Sequence, residues 1–572
     1  MPVVARLILV VLFLLVPALT RADEPQWIWS SAGAATLAPK AKAYFREVFD
    51  LGTPESGRIE ITADNFYTLF VNGRKVGNGD NWGKLDAHNL KPYLKAGRNV
   101  IAVLAENGDE GPGGLVARVV VKSRDAEPVD LSSSKTWKFS LKETAGWMTP
   151  DFDDSQWDAA FVLGTLGKDG PWGNKVAAAP APEAVPTFEV PERPEGAFQL
   201  LEGDRVVFIG DTLVERAQNS DYIESLLTTS NPGRNVIYRN LGWSGDTVFG
   251  EARAGFGTAL DGFEQLRQQV FTLKPTVIFV AYGGCSSFDG AAGLSTFEQG
   301  YHTLLDMLET TKAEIILVSP IRHEDLGRPL PDPKAHNESL ELYSKAIAGI
   351  ARGRNHRFLD LLHELAPKSS KAAEQLTENG IHLSDLGYFR AARSIGRQLE
   401  LAPDTWELSL DAAGKVVRAQ GAKASAIKAS AGGIQFELLD ERLPVAAPKE
   451  AAEAGRTLKF ERLAPGKYTL KIDGKEIATA DAKGWSAGQR IQSGPEFEQS
   501  EKLRRTIMAK NRLYFYRWRP QNETYLFGFR KHEQGQNARE VPMFDPLVTE
   551  QEAKIAELRV PVKHTYELVK QK

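Results

Sequence analysis

The chain of 572 residues has a single cysteine, Cys285, which excludes an intrachain disulfide and any zinc site built from a cysteine cluster. It also has no basic excess. Seventy Lys and Arg stand against 74 Asp and Glu, a net charge of −4, which argues against a nucleic-acid partner. Only one long apolar run occurs, Leu7 to Leu19, and at about 13 residues it is shorter than the roughly 20 needed to cross a bilayer. There is no His-Glu-x-x-His, no phosphate-binding Gly-Lys loop and no dinucleotide glycine fingerprint, so no metal and no cofactor are expected. What remains is an ordinary globular composition, 42% hydrophobic and 25% charged, long enough for about three or four domains.

Arg6 precedes the apolar run, and Thr20-Arg21-Ala22 follows it with small residues at the two positions a signal peptidase reads. Residues 1–22 are therefore expected to be a signal peptide cleaved near Ala22. The mature protein is expected to be exported, periplasmic or extracellular, with no membrane span; its oligomeric state is left open.

Residues 23–174 read as a β-sandwich. Short alternating runs such as Arg58–Thr62 and Tyr67–Val71 are punctuated by turns at Asn72-Gly73 and Ala96-Gly97. Trp27-Ile-Trp29, Ala63-Asp-Asn65, Leu69–Gly73 and Leu94–Val103, with Asp151–Trp157 after them, resemble the galactose-binding-like jelly-roll modules attached to α-L-rhamnosidases. The resemblance implies sugar contact through exposed tryptophans, Trp82 and Trp172; simple packing of those rings in the sandwich is the alternative. Residues 175–199, rich in Pro and Ala, read as an extended linker.

Between 200 and 402 the pattern changes to five short apolar runs, 205–209, 235–239, 276–281, 314–318 and 357–361, separated by helical stretches. This is the pattern of a parallel sheet built from βαβ units, whose ligands bind beyond the carboxyl ends of the strands. Those ends carry Gly210-Asp211-Thr212-Leu213, then Asn240-Leu-Gly-Trp-Ser244-Gly245-Asp246, Tyr282-Gly-Gly-Cys285-Ser286 and, after the fifth run, Asn379-Gly-Ile-His382-Leu-Ser-Asp385. In this order the four motifs resemble the SGNH/GDSL hydrolases, in a divergent bacterial branch. The expected fold is multidomain: a β-sandwich, then a flavodoxin-like α/β three-layer domain with a five-stranded parallel sheet and a small β insert.

The resemblance implies acyl transfer on an ester, with the family's residues carried onto Thr212 as nucleophile, Gly245 as a backbone oxyanion donor, Cys285 at the oxyanion asparagine, His382 as base and Asn379 at the orienting aspartate. Three of these five are changed. A threonine hydroxyl can attack an acyl carbon, though its methyl restricts χ1. A thiol is a poor substitute for an amide donor, and an asparagine cannot stabilise an imidazolium as a carboxylate does. Two readings stay open: an ester hydrolase that deacetylates a polysaccharide, and a catalytically degenerate glycan-binding or scaffold protein. A third makes Cys285 a thiol nucleophile with His382 and Asn379.

Around this centre, Asp211 is expected to cap the following helix, Asp246 to serve a turn or cap, and His323 to lie solvated at the ligand edge. Asp360 is a candidate carboxylate for His382. Asp211, Glu215 and Trp243 are candidate substrate contacts. Residues 403–482 read as a small β domain, and 483–572 as a helical segment packing back on the α/β domain, bringing Arg519, Asn522 and His532 as candidate pocket-wall groups.

Overall fold

The computed structural model describes residues 24–124, 126–179, 190–194, 196–257, 259–366, 374–401, 405–451 and 455–571. The signal-peptide assignment and the middle of the Pro/Ala linker lie outside them. The chain divides into two compact units, 1–184 and 185–572.

The first unit is an antiparallel sandwich of two six-stranded sheets. One runs in the order Phe161–Thr165, Gln26–Trp29, Gly114–Ser123, Pro54–Asp64 and Asp86–Asn89, with Val129–Asp130 also paired to Gly114–Ser123. The other runs Asp158–Ala159, Lys138–Ser140, Ala41–Leu51, Gly97–Asn107, Phe66–Val71 and Arg74–Gly79. Alternation along the strands puts Phe45, Ile59, Ile61, Leu69, Val103 and Val119 in one shared core. The Asn72-Gly73 turn joins two of these strands with both residues at positive φ, 51° and 83°, as a two-residue hairpin requires. Trp172 is not an exposed sugar platform. It is 2% exposed, stacks on Trp27 at 4.0 Å and donates from Nε1 to the buried Asp64 carboxylate at 2.9 Å, because a large ring with one polar edge is most stable where that edge has a partner. Trp82 packs on the same cluster. The Asp151–Trp157 stretch also serves packing: Asp154 ion-pairs with the buried Arg46 at 3.3 Å and with Lys138 at 2.8 Å.

In the second unit, five parallel strands, Arg205–Gly210, Ile237–Asn240, Val277–Ala281, Glu314–Val318 and Arg357–Leu359, stand in the spatial order second, first, third, fourth, fifth. Both faces are covered. Val207, Ile209, Ile278, Val280 and Leu317 pack against helices Ala259–Thr272, Gly290–Glu309 and Lys334–Arg354, while Val206, Phe279, Ile316 and Val318 meet helices Tyr222–Ser230 and Asp385–Gln398. This explains the apolar runs of the three inner strands. Among the described residues no helix is long and apolar enough to cross a membrane.

The β segment after residue 404 forms two sheets around Leu408, Phe436, Phe460, Leu470, Trp485 and Leu568. Its boundaries differ from a plain 403–482 segment. Strand Lys563–Lys570 lies between Gly433–Asp440 and Lys467–Ile472, so residues 483–572 are not a purely helical segment. The alternation His564, Tyr566, Leu568 supplies the buried face that places it there. The helical part, Pro495–Trp518 with Phe544–Leu558, docks on the α/β layers through a buried Lys510–Glu224 pair at 2.6 Å and Asn511 bonds to Asp221 and Glu224 at 2.9 and 2.7 Å.

Candidate active site

The first strand ends at Gly210 and the chain turns at once into a short helix, Thr212–Ala217. Asp211 caps it. One carboxylate oxygen accepts the Leu213 N–H at 3.1 Å, and the other accepts the N–H groups of Gly284 and Cys285 at 3.1 and 3.3 Å. The same side chain thus starts the helix and ties it to the turn after the third strand. Burial raises this carboxyl to about 6 against the pull of those three donors. Asp211 is therefore a fully engaged structural residue, and its carboxylate is used up inside the turn.

The loop after the second strand reaches the same point. A Cβ on Gly242 would meet the Glu215 backbone N at 2.2 Å, so only glycine lets this loop lie directly against the Thr212 helix. Three residues on, Gly245 takes φ +79° in the turn that ends with the Asp246 N–H donating to the Trp243 carbonyl at 3.0 Å. The Cys285 thiol is close enough to the Gly245 N–H and the Thr212 hydroxyl for both to pull its pKa down, against burial. The sulfur thus lies near both sequence-predicted groups. Burial, then the neighbouring Asp211 charge, push the thiol up to about 11, so it stays protonated at neutral pH. This weighs against the thiol-nucleophile reading. Folded protein at pH 7.5 is expected to resist iodoacetamide, with carboxymethylation of Cys285 in intact-mass spectra only after denaturation; rapid modification of the folded form would revive the thiol reading.

His382 lies between strand and helix, just before Asp385–Gln398. Its partner is Asn379, and the geometry of that amide is determined. The Asn379 Oδ1 accepts the backbone N–H of His382 at 3.0 Å and of Ile381 at 3.3 Å, so its NH2 group must face His382 Nδ1, at 3.2 Å. Nδ1 therefore accepts, and the proton of the neutral ring resides on Nε2. A general base needs the opposite tautomer, with Nδ1–H donating and Nε2 free. Burial, followed by the Arg216 guanidinium, holds His382 below its ordinary value, with Glu378 opposing. Arg216, which the sequence leaves between facing the pocket and pairing on the surface, stands one helical turn beyond Thr212 and pairs with Glu378 at 2.7 Å.

Asp360 does not replace the missing carboxylate: it caps the helix at Leu361 and binds the His363 ring at 2.7 Å. His323 is not solvated. It is 8% exposed, with Nδ1 at 3.1 Å from His336 Nδ1, and His336 in turn meets Ser287 Oγ at 2.8 Å. Burial lowers His336 to about 4, so the pair is held neutral.

Trp243, Glu215 and Arg519 come together. Arg519 Nη1 binds Glu215 Oε2 at 2.7 Å, and its guanidinium lies over the Trp243 ring, 3.6 Å from the centroid. Asn522 and His532 do not join them; Asn522 binds Gln534 at 2.9 Å, and the His532 side chain is solvent-exposed beside Glu533. Beneath the loop, Asp246 is more than a turn residue. Its carboxylate receives Arg253 Nε at 2.8 Å and the Tyr282 hydroxyl at 3.0 Å, with both charged side chains fully buried. Sequence reading passed over Arg253 because nothing in its local pattern shows a partner seven residues away. Asp246→Ala strands that guanidinium, and a loss of about 3–5 kcal/mol in denaturant unfolding is expected.

Residues 208–390 match the model of the GDSL-like lipase/acylhydrolase family. Of the side chains just described, Arg519 and the Asn522, Gln534, His532 and Glu533 group lie outside that GDSL-like region. A solved gut microbial diltiazem-metabolizing enzyme shares the fold at TM-score 0.54, with 18% identity over 67% of this chain and all of that one. An acetylxylan esterase from Geobacillus stearothermophilus is 19% identical over 35% of this chain and 96% of its own, at TM-score 0.29. The resemblance to α-L-rhamnosidases is met by a curated enzyme of Streptomyces avermitilis, 35% identical over 168 residues, 28% of this chain. The chain spans only 16% of that enzyme's length.

Proposed function

We propose that the protein is a slow ester hydrolase acting on an O-acyl group of a carbohydrate, most simply an acetyl ester, with Thr212 as nucleophile. The observation that carries this is that Thr212, at the start of the helix after the first strand, and Gly245, in the loop packed against that helix, both lie close to Cys285 within a GDSL-like region. Thr212 Oγ adds to the ester carbonyl, its proton passes to His382 once the ring proton has moved from Nε2 to Nδ1, and the carbonyl oxygen accepts the Gly245 N–H. Collapse expels the sugar hydroxyl, which takes the proton, and water releases the acid from Thr212. The similarity to a sugar-processing enzyme supports a glycan as the alcohol half, with export from the signal-like start.

Two features favour a second reading, in which the same pocket holds an acylated glycan without cleaving it: the Nε2–H tautomer of His382 and the thiol in the oxyanion position. One variant separates them. Under the hydrolase reading, Thr212→Ala reduces acetate release from acetylated xylan, pectin and an aryl acetate to background, and His382→Ala does the same. Under the binding reading, wild type and both variants release none, yet all retain saturable binding to the acylated glycan in calorimetry. Because the His382 pKa is lowered, its neutral form persists below pH 6.5, and the acid limb of hydrolase activity is expected to have its midpoint below that of an unperturbed histidine. Loss of activity already between pH 7.5 and 6.5 would contradict that.

A further inference from the structure

We infer that Arg519, contributed from 304 residues along the chain from Glu215, is a positioning residue that holds the oxyanion loop in place and makes no contact with substrate. Three contacts converge. Glu215 Oε2 accepts two donors at once, the Arg519 guanidinium at 2.7 Å and the Ser244 backbone N–H at 2.6 Å. Ser244 immediately precedes Gly245, so the peptide plane that carries the Gly245 N–H begins at the residue Glu215 anchors. The flat guanidinium is stacked on the Trp243 indole, with Phe515 5.5 Å away on its own helix, and Trp518 closes on the Trp243 ring edge-on at 5.8 Å. From beneath, the buried Arg253 also faces Trp243, at 5.4 Å.

The physical argument is one of competition. The loop Trp243–Gly245 is a turn with Ser244 and Gly245 both exposed, and the Gly245 N–H is useful only if its direction is fixed before substrate arrives. Without Arg519, the Glu215 carboxylate is free to turn to water, because the Ser244 N–H alone does not neutralise it. With Arg519, the carboxylate has a charge-assisted partner that is itself fixed by stacking and by attachment to the 24-residue helix Pro495–Trp518. A guanidinium paired and stacked in this way has little left to offer a ligand, which is why the substrate-contact role expected from the sequence is replaced by a positioning one. The segment outside the GDSL-like region thereby completes the site.

The kinetic half of the test rests on the hydrolase reading, so the structural half is made independent of it. Hydrogen exchange followed by mass spectrometry on the full chain is expected to show the peptide covering Leu241–Thr247 exchanging about tenfold faster in Arg519→Met, with Arg519→Lys intermediate. Glu215→Gln should give the same change, and the double variant no more than either alone. On aryl acetate, Arg519→Met should lower kcat about tenfold with KM within twofold, the pattern of a lost transition-state interaction. Unchanged exchange in a folded Arg519→Met protein overturns the inference, as do additive effects of the two substitutions. A rise in KM with unaltered loop exchange also overturns it, by making Arg519 a substrate contact. If Arg519→Met does not fold, Glu215→Gln alone decides by the same exchange readout. If wild type has no esterase activity, the hydrolase reading fails while the exchange result still stands for or against the strut.

Discussion

Asn379→Asp is expected to raise ester hydrolysis by at least a hundredfold. The amide now holds His382 with the proton on Nε2, the nitrogen that would have to accept the Thr212 proton. A carboxylate at the same position can only accept, which moves the ring proton to Nδ1, frees Nε2, and stabilises the imidazolium that forms. In a serine triad the reverse change costs about 10,000-fold, so a gain of a hundredfold allows for the threonine nucleophile and the thiol that remain. The backbone N–H groups of Ile381 and His382 already point at this oxygen position, so the aspartate enters an existing cradle. The substitution should also raise the His382 pKa and shift the acid limb of the pH–rate profile upward, since a raised histidine pKa confines the neutral base to higher pH. Rates and pH limb both unchanged would show that the tautomer does not limit the reaction.

Cys285→Asn is expected to act at the other end of the same bond. An asparagine in place of the thiol supplies an N–H donor to the developing oxyanion. Loss of one such donor typically costs on the order of 100- to 1,000-fold, and a gain of that order in kcat with aryl acetate is the expected outcome. Because Cys285 and Asn379 act on different atoms of the transition state, the two gains should multiply in the double variant; a double no better than Asn379→Asp alone would mean that the amide does not reach the oxyanion.

Much of this architecture was legible before any coordinates. The three inner strands, Arg205–Gly210, Val277–Ala281 and Glu314–Val318, were visible as apolar runs because both faces of their sheet are covered, while the two edge strands carry Arg239 and Arg357. The four strand-end motifs were visible for a related reason: a parallel sheet delivers all its carboxyl ends to one edge, and local glycine and Asx chemistry marks each turn. Partnerships that skip along the chain were not legible. Trp172 finds Asp64 across the sandwich, His323 finds His336, and Arg519 finds Glu215, and in each case the local sequence is equally compatible with a solvated side chain. The tautomer of His382 belongs to the same class. The sequence shows which amide stands three residues away, but the direction of that amide follows from two backbone N–H groups whose orientation only the folded turn defines.

The strand Lys563–Lys570 carries a consequence for how the molecule is made. It lies inside its sheet, hydrogen-bonded on one side to Gly433–Asp440 and on the other to Lys467–Ile472. A ribosome delivers those two neighbours roughly a hundred residues before it delivers the strand between them. During that interval each presents an unpaired backbone edge, the kind of surface that recruits a second chain. Helix Pro495–Trp518 and its Arg519 emerge within the same interval, so a chain interrupted before residue 563 would carry a GDSL-like region already equipped with its loop strut but a β domain still open to misassembly. The two halves of the second unit thus complete at different moments of synthesis, the β domain last.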